Sequence, residues 1–329
     1  MNFSSVEKIA AAILYEGYIL YPYRKTAIKN RQRWNFGTLY PREYAEAQRP
    51  AEPCRLQAEF LLEVEENAAP LLNVRVNFLQ LVQESQNDAQ ALTDPSLAWE
   101  QAVERTVDVA DLQLETLKSE GLRRPLVLDA SNMPQGAPAA AAHFRLEGEL
   151  VLRVEHVAEK LWKLRLELRN NTLLPSGAMA KREEALPRSF VSAHVLLGAR
   201  AAQFVSLLDP PEQYRAAATN CNQLGVFPVL AGEEPARDIL FCSPIILYDY
   251  PKVAAESEGD FFDGTEMDEM LALRVMTLSD AEKQEMREGD PRARKILERT
   301  EALTPEAMLK AHGVIRNLRA VAPQLEDQP

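Results

Sequence analysis

Two neighbouring stretches of the chain, residues 144–157 and 161–169, place apolar side chains at every second position. The apolar residues of shared parity are Leu146, Leu150, Leu152 and Val154 in the first stretch and Trp162, Leu164, Leu166 and Leu168 in the second. A period of two gives a strand one buried face and one hydrated face. We therefore predict an antiparallel hairpin over residues 144–169.

Further strand signals lie on both sides of this hairpin. Residues 54–64 and 72–82 alternate roughly, and the turn-forming stretch 65–70 between them predicts a second hairpin. Residues 99–117 predict one or two strands, with a helix as the rival interpretation. Residues 190–197 and 239–247 are apolar strand candidates, and residues 130–142 read as a loop at the edge. Several strands at this spacing favour an antiparallel sandwich.

The N-terminal part of the chain follows a different pattern. Ser4 or Ser5 is a candidate N-cap for a short helix that ends near Gly17. The stretch 21–23 is expected to be extended, because a residue before proline avoids the helical region. Residues 24–53, with three prolines, predict an ordered arm or long loop.

The last third of the chain changes to helical spacing. Residues 266–278 predict one helix, and the pair Ser279 and Glu282 forms a capping box for the next. The dipeptides at 290–291 and 304–305 each place an N-cap residue before a proline at the first helical position. Three or four short helices are therefore expected through Arg319.

Together these patterns predict an α+β protein with an antiparallel β-sandwich-like core, an N-terminal aromatic arm and C-terminal helices. The expected divisions are residues 1–53 for the N-terminal helix and aromatic, basic arm, 54–255 for the β core, and 256–329 for an acidic loop with the helical segment.

Charge and cysteine content narrow the functional classes. The 329 residues carry a formal net charge of −12, which argues against nucleic-acid binding and favours basic partners. The three cysteines include no Cys-x-x-Cys pair, so zinc-ribbon, thioredoxin and iron–sulfur motifs are unsupported. No apolar run reaches the roughly 20 residues of a membrane helix, and the stretch 9–15 lacks the pattern of a signal peptide. A soluble cytoplasmic protein is expected.

No cysteine or histidine stands in a sequence pattern that strongly predicts a nucleophile or a metal ligand. Cys221, between two asparagines, would act as a nucleophile only if His194 or His156 folded beside it as a base. Cys242 reads as a small buried residue. The four histidines lack metal-ligand spacing, and the two in predicted strands are expected to be partly buried and hydrogen-bonded.

An acidic loop at residues 256–269 contains seven carboxylates and no basic residue. Asp260, Asp263 and Glu266 are candidate ligands for Mg²⁺ or Ca²⁺. Phe262 and Gly264 stand where an EF-hand places oxygen ligands, so that motif is not matched. The alternatives are the start of a helix, where acids face free N–H groups, and a protein-contact surface.

The N-terminal arm contrasts with this acidic loop, because it is rich in aromatic and basic residues. Residues 15–44 hold six of the nine tyrosines, with Trp34 and six basic residues. Tyrosine, tryptophan and arginine dominate protein interfaces, but they also cover sheet edges inside a protein, or stack on nucleic acid. The candidate partner-binding residues are Tyr18, Tyr21, Tyr23, Arg24, Arg31, Arg33, Trp34, Asp268 and Glu269.

Three long motifs carry a family resemblance. They are Leu-Tyr-Glu-Gly-Tyr-Ile-Leu-Tyr-Pro-Tyr-Arg at 14–24 with Asn-Arg-Gln-Arg at 30–33, Ser-Pro-Ile-Ile-Leu-Tyr-Asp-Tyr-Pro at 243–251, and Gly-Asp-Phe-Phe-Asp-Gly-Thr-Glu-Met-Asp-Glu at 259–269. The chain resembles, from about residue 10 to 315, a bacterial family encoded beside the genes of uptake nickel–iron hydrogenases.

The resemblance implies an accessory, assembly or scaffold protein, with a hydrogenase subunit or maturation factor as its partner. Without paired Cys-x-x-Cys motifs the chain does not match a hydrogenase large subunit or an electron-transfer subunit. The rival hypothesis is a metal-dependent hydrolase that uses the acidic loop. The third hypothesis is a self-assembling structural protein.

Overall fold

The computed structural model describes residues 3–24, 26–30, 33–66, 68–82, 101–129, 144–253, 261–263 and 267–304. The strands in these ranges are β1 Arg55–Glu63, β2 Leu71–Val82, β3 Gln101–Gln113, β4 Leu122–Leu128, β5 Leu146–Ala158, β6 Leu161–Asn170, β7 Val191–Arg200, β8 Gln203–Val205, β9 Phe227–Ala231 and β10 Ile239–Ser243. The α-helices are α1 Glu7–Leu14, α2 Arg42–Ala47, α3 Leu114–Ser119, α4 Arg182–Ala185, α5 Arg215–Thr219, α6 Asp268–Met276, α7 Asp280–Glu288 and α8 Pro291–Glu301.

The strands form two five-stranded antiparallel sheets that pack face to face. One sheet has the order β4-β5-β6-β1-β8 and the other β3-β2-β7-β10-β9. Leu150 and Leu166 of the first sheet share one buried cluster with Val76, Val195 and Leu240 of the second. This layered apolar interior confirms the predicted α+β class with a sandwich-like core.

The hairpin at 144–169 is confirmed. In the β5–β6 pair, Leu150 lies opposite Leu168 and Leu152 lies opposite Leu166. All four side chains are buried. The period-two pattern identified these strands because one of their faces is apolar throughout.

The predicted hairpin between β1 and β2 is wrong. β1 pairs with β6 and β8, whereas β2 pairs with β3 and β7 in the other sheet. Residues 56–62 of β1 are all buried, so both faces of this strand are covered. A strand without a hydrated face carries no local signal for its neighbour, and the 64–70 connection crosses between the sheets.

Other elements differ in detail from the sequence expectations. The stretch 101–117 begins as strand β3 and continues as helix α3 from Leu114, so each rival interpretation holds for part of it. Strand β10 ends at Ser243, four residues before the predicted end. Strands β4, β8 and β9 were not predicted. β4 lies at a sheet edge with Arg123, Arg124 and Pro125 exposed, so it lacks an apolar run. Trp99 and residues 130–142 lie outside the described residues.

Helix α1 covers the outer face of the second sheet. Its Ala10 and Ile13 pack with Leu196 and Phe241. The N-cap residue is Val6, without a side-chain cap bond, so the cap predicted at Ser4 or Ser5 is not formed. Residues 21–22 form a turn with a cis Tyr21–Pro22 bond rather than the predicted extended stretch.

Helices α7 and α8 begin where the sequence predicted, and α6 spans Asp268–Met276 within the predicted range 266–278. Ser279 and Glu282 form the capping box of α7. Asp290 caps α8, and Pro291 is the first helical residue. The fourth helix, expected after Thr304, lies outside the described residues. No helix in the described ranges has the length and apolar character needed to span a membrane.

Candidate functional site

The arm and the C-terminal segment meet in a cluster of buried rings, called here the aromatic junction. Its members are Tyr15, Tyr18, Tyr23, Trp34, Phe261 and Phe262. The Tyr18 ring centroid lies 5.2 Å from that of Trp34 and 5.4 Å from that of Phe262, both edge to face. The segment before α6 therefore packs on the arm through its two phenylalanines.

Hydrogen bonds, in addition to ring packing, hold the aromatic junction together. The Tyr18 hydroxyl donates to Oδ2 of Asp290 at 2.5 Å. The Tyr23 hydroxyl donates to the carbonyl of Phe261 at 3.1 Å, and the Gly17 N–H donates to that of Phe262 at 2.8 Å. Burial first, and then the nearby Asp263, raise the pKa of Tyr23 above its usual value, so the phenol stays a neutral donor.

The arginines of the arm interact mainly with their own protein. The Arg33 guanidinium lies 5.0 Å from the Trp34 ring centroid, within the range of a cation–π contact. Arg24 is ion-paired with Glu282 at 3.1 Å and with Glu285 at 3.3 Å, both on α7. The arm is thus tied to α7 by charge.

Four of the candidate partner-binding residues are interior. Tyr18, Tyr23, Arg33 and Trp34 are at most 5% exposed. They do not form an exposed surface in this conformation, and the internal-structure alternative describes their placement. Because Tyr18 and Tyr23 form hydrogen bonds with residues more than 200 positions away in sequence, composition alone did not decide between the two interpretations.

The remaining candidates are more accessible or lie elsewhere. Tyr21 is half-buried, with the Arg274 guanidinium 5.8 Å from its ring centroid. The Arg24 side chain is 25% exposed. Asp268 and Glu269 occupy the first turn of α6, as the helix-start alternative expected, and are half-exposed. Arg31 lies outside the described residues.

The proposed metal ligands are described only in part. Asp263 is half-exposed beside the aromatic junction, while Asp260 and Glu266 lie outside the described residues. Within the part of the chain that the structure describes, no group of three or more His, Cys, Asp or Glu residues is arranged to hold a metal ion.

The possible cysteine nucleophile is not paired with His194. Cys221 packs with Leu61 on the outer face of the first sheet, whereas His194 contacts Phe241 on the outer face of the second. Burial raises the pKa of Cys221 to about 11, which keeps it a thiol at neutral pH. His156 is exposed, so the prediction that it is partly buried is wrong; its ring lies tilted against that of Trp162, with centroids 4.3 Å apart. Cys242 is fully buried, as predicted.

His194 is more deeply buried than expected. Its Nδ1 lies 3.0 Å from the Ser192 carbonyl oxygen and its Nε2 lies 3.3 Å from Nδ2 of Asn77. Burial lowers its pKa to about 4, so the ring is neutral at physiological pH. His143 and His312 lie outside the described residues.

Glu59 is a buried carboxylate that sequence reasoning missed. It lies 2.7 Å from Nζ of Lys163 and 3.1 Å from Nε of Arg165, and it accepts a 2.9 Å hydrogen bond from the Asn222 N–H. Burial opposes ionisation, but the bonds from Lys163 and Asn222 outweigh it and hold the pKa of Glu59 below its usual value. The alternation of residues along β1 did not indicate that Glu59 is buried, because both faces of this strand are covered.

The segment after β10, residues 244–250, presents apolar side chains from an anchored backbone. Asp249 accepts hydrogen bonds from the Leu230 N–H at 2.7 Å and the Ser206 hydroxyl at 2.5 Å. The Tyr250 N–H donates to the Leu230 carbonyl at 2.7 Å. The segment is therefore held to β9 at the edge of the second sheet.

Side chains of this 244–250 segment alternate between the protein and the solvent. Ile245 and Leu247 pack against the cluster beneath α1. Ile246 is 76% exposed and Tyr248 is 87% exposed. Two large side chains thus project outward from a fixed stretch of backbone.

Comparison with known protein families finds no family whose model matches the chain. Comparison with curated protein sequences also finds no match.

Proposed function

We propose that this chain is a non-catalytic accessory protein that binds a subunit or a maturation factor of a nickel–iron hydrogenase in the cytoplasm. The family resemblance of three sequence motifs supports the identity of the partner. The 244–250 segment supports the mode of action, which is binding through a preformed surface.

The exposure of Ile246 and Tyr248 is the observation that carries this proposal. Neighbouring exposed apolar side chains that form a patch are typical of interaction sites, and Ile246 and Tyr248 lie two residues apart on one face of an anchored segment. Because Asp249 already anchors the segment, a partner that binds there need not order it, which favours affinity. Tyrosine is also among the residues most often found at the energetic centre of interfaces.

The three motifs that carry the family resemblance differ in how exposed their side chains are. The first, residues 14–24 with 30–33, supplies much of the buried aromatic junction and therefore has a structural role. The second contains Ile246 and Tyr248. The third ends on α6, where Met267 is 54% exposed beside the half-exposed Asp268 and Glu269. We assign partner contact to the second and third motifs.

The test is affinity purification of the tagged protein from its native host during growth on hydrogen. We expect stoichiometric recovery of a hydrogenase subunit or maturation factor with the unmodified chain. Ile246→Asp and Tyr248→Asp should each weaken binding of that partner by roughly 30-fold, the effect of losing a central interface residue. The matched control is Leu173→Asp, because Leu173 is 77% exposed outside the segment.

Two outcomes contradict the proposal. Recovery of the protein alone from cells with active hydrogenase removes the partner assignment. Equal recovery with Ile246→Asp and Leu173→Asp removes the binding surface. In the first case, calorimetry with Mg²⁺, Mn²⁺ and Ca²⁺ tests the metal-dependent hydrolase, which requires binding that Asp263→Ala abolishes.

A further inference from the structure

A cavity of about 430 Å³ lies where α2 meets the start of β1 and the end of β6. Three arginines and one carboxylate line it, with one cysteine and two asparagines: Arg42, Arg55, Arg169, Glu46, Cys54, Asn170 and Asn171. We call it the arginine cavity. Its charge contrasts with the chain as a whole, which has a formal net charge of −12.

Two of these arginines face each other across the sheet. Arg55 of β1 is the direct register partner of Arg169 of β6. Like charges placed directly opposite one another on neighbouring strands repel and destabilise the pair. An anion bound between them would relieve that repulsion.

Two carboxylates, Glu167 and Glu149, lie near this pair, and Glu149 is 3.9 Å from Nη1 of Arg169. Glu167 contacts Arg169, but its oxygens also lie 3.9 Å from Nη1 of Arg55 and 3.9 Å from Nε of Arg165. One carboxylate is thus shared by three guanidinium groups. Arg55, whose side chain is 49% exposed, has no closer acidic partner among the described residues.

The third arginine keeps donors available. Nε of Arg42 donates to Glu46 at 2.7 Å, and its two terminal amino groups make no hydrogen bond within the described residues. The side chain is 72% exposed, so these donors are hydrated. Arginine in this state is suited to bidentate binding of phosphate or carboxylate groups.

The inner wall of the cavity is rigid. The side chain of Asn170 is buried and donates to the carbonyls of Leu39 at 2.8 Å and Arg188 at 2.9 Å. Its Oδ1 accepts from the Thr172 N–H at 2.9 Å, and its own N–H donates to the Cys54 carbonyl at 3.0 Å. The backbone that carries Arg55 and Arg169 is therefore held before any ligand arrives.

We propose that the arginine cavity binds a small organic anion through a phosphate or carboxylate head group. The volume lies in the range of small-molecule sites, and three arginines converge on it from separate elements. The site is independent of the 244–250 segment and of the identity of any protein partner.

Calorimetry with pyrophosphate and with citrate tests the site and distinguishes the two head groups. We expect saturable binding of at least one probe, which weakens as ionic strength rises. Arg42→Gln and Arg55→Gln should each weaken it by about tenfold, as expected when one charged hydrogen-bond donor is lost. The matched control is Arg200→Gln, because Arg200 is 52% exposed, close to the 49% of Arg55, and pairs with Asp111 in the other sheet.

Cys54 provides a second readout in the same cavity. In a Cys221→Ser variant, alkylation by iodoacetamide reports on Cys54, because Cys242 is fully buried. Bound pyrophosphate or citrate should slow the alkylation in that variant and not when Arg55→Gln is added. The proposal is overturned if neither probe binds, if Arg200→Gln weakens binding as much as Arg55→Gln, or if Cys54 is not protected. Thermal unfolding of each variant confirms that it is folded.

Discussion

Replacing Asp290 with alanine should destabilise the protein more than the loss of an ordinary helix cap. Oδ1 of Asp290 accepts from the N–H groups of Arg292 at 2.8 Å and Ala293 at 3.2 Å, which caps α8. Oδ2 accepts the 2.5 Å hydrogen bond from the Tyr18 hydroxyl. Asp290 is 3% exposed and Tyr18 is 5% exposed, so water cannot replace the lost carboxylate.

The two roles of Asp290 give separate energies. Loss of an N-cap side chain costs about 1 kcal/mol. Loss of the charged acceptor of the buried Tyr18 hydroxyl costs about 2 kcal/mol. The free energy of unfolding should therefore fall by about 3 kcal/mol in Asp290→Ala.

Urea unfolding at equilibrium measures these energies, and a double-mutant cycle with Tyr18→Phe isolates the hydrogen bond. Ser279→Ala is the matched control, because Ser279 caps α7 through its own capping box and is exposed. We expect a loss of about 1 kcal/mol for that control. The coupling energy between Tyr18 and Asp290 should be about 2 kcal/mol.

A coupling energy near zero would refute the reasoning, because it would mean that the Tyr18 bond contributes nothing to stability. Equal losses in Asp290→Ala and Ser279→Ala would lead to the same conclusion. The tie between the arm and α8 would then rest on ring packing alone.

Three further changes test other parts of the interior. Glu59→Gln should lower the free energy of unfolding at pH 7 by about 2 kcal/mol, since Lys163 loses a buried partner. The pKa of Glu59 is lowered from 4.5, so the difference in unfolding free energy between the two proteins should shrink as pH falls below 4.5. His194 has a pKa of about 4 instead of 6.5, so protonation of the unfolded chain should reduce stability by up to about 1.4 kcal/mol per pH unit from pH 6.5 to 4, and His194→Gln should remove this slope. Gly148→Ala should cost about 3 kcal/mol, because the added Cβ would lie 2.6 Å from Cε2 of Phe190.

Urea unfolding between pH 4 and pH 7 measures all three effects. A constant difference for Glu59→Gln across that range would contradict the lowered pKa. An unchanged pH slope in His194→Gln would show that other groups dominate acid sensitivity. Gly225→Ala is the control for Gly148→Ala, because no atom lies within 4 Å of its added Cβ and its positive φ alone should cost about 1 kcal/mol.

The sequence predicted elements whose signal is local. The β5–β6 hairpin shows strict alternation, and Ser279 and Asp290 are read directly as helix caps. Strand pairing was not predictable for β1, because its buried faces carry no sign of which neighbour it takes. The edge strand β4 was not predicted, because its exposed residues show no periodic apolar pattern.

The candidate site was harder to predict for a related reason. Tyr18 and Trp34 are residue types common at interfaces, yet they are buried in one cluster with Phe262 and apolar residues of α8. Whether a tyrosine is a contact residue or a core residue depends on long-range packing that composition does not encode. The exposed pair Ile246 and Tyr248 was likewise assigned to a strand or left unassigned, because its neighbours in sequence are equally apolar.

The bond between Tyr18 and Asp290 also sets an order of events during protein synthesis. The two residues are 272 positions apart in the chain. At translation rates of about 5–20 residues per second, the arm leaves the ribosome on the order of tens of seconds before α8. During that interval its aromatic side chains lack their native neighbours and are available to chaperones. A chain that ends before α8 lacks the contacts that cover those rings, and such exposed apolar surface favours aggregation.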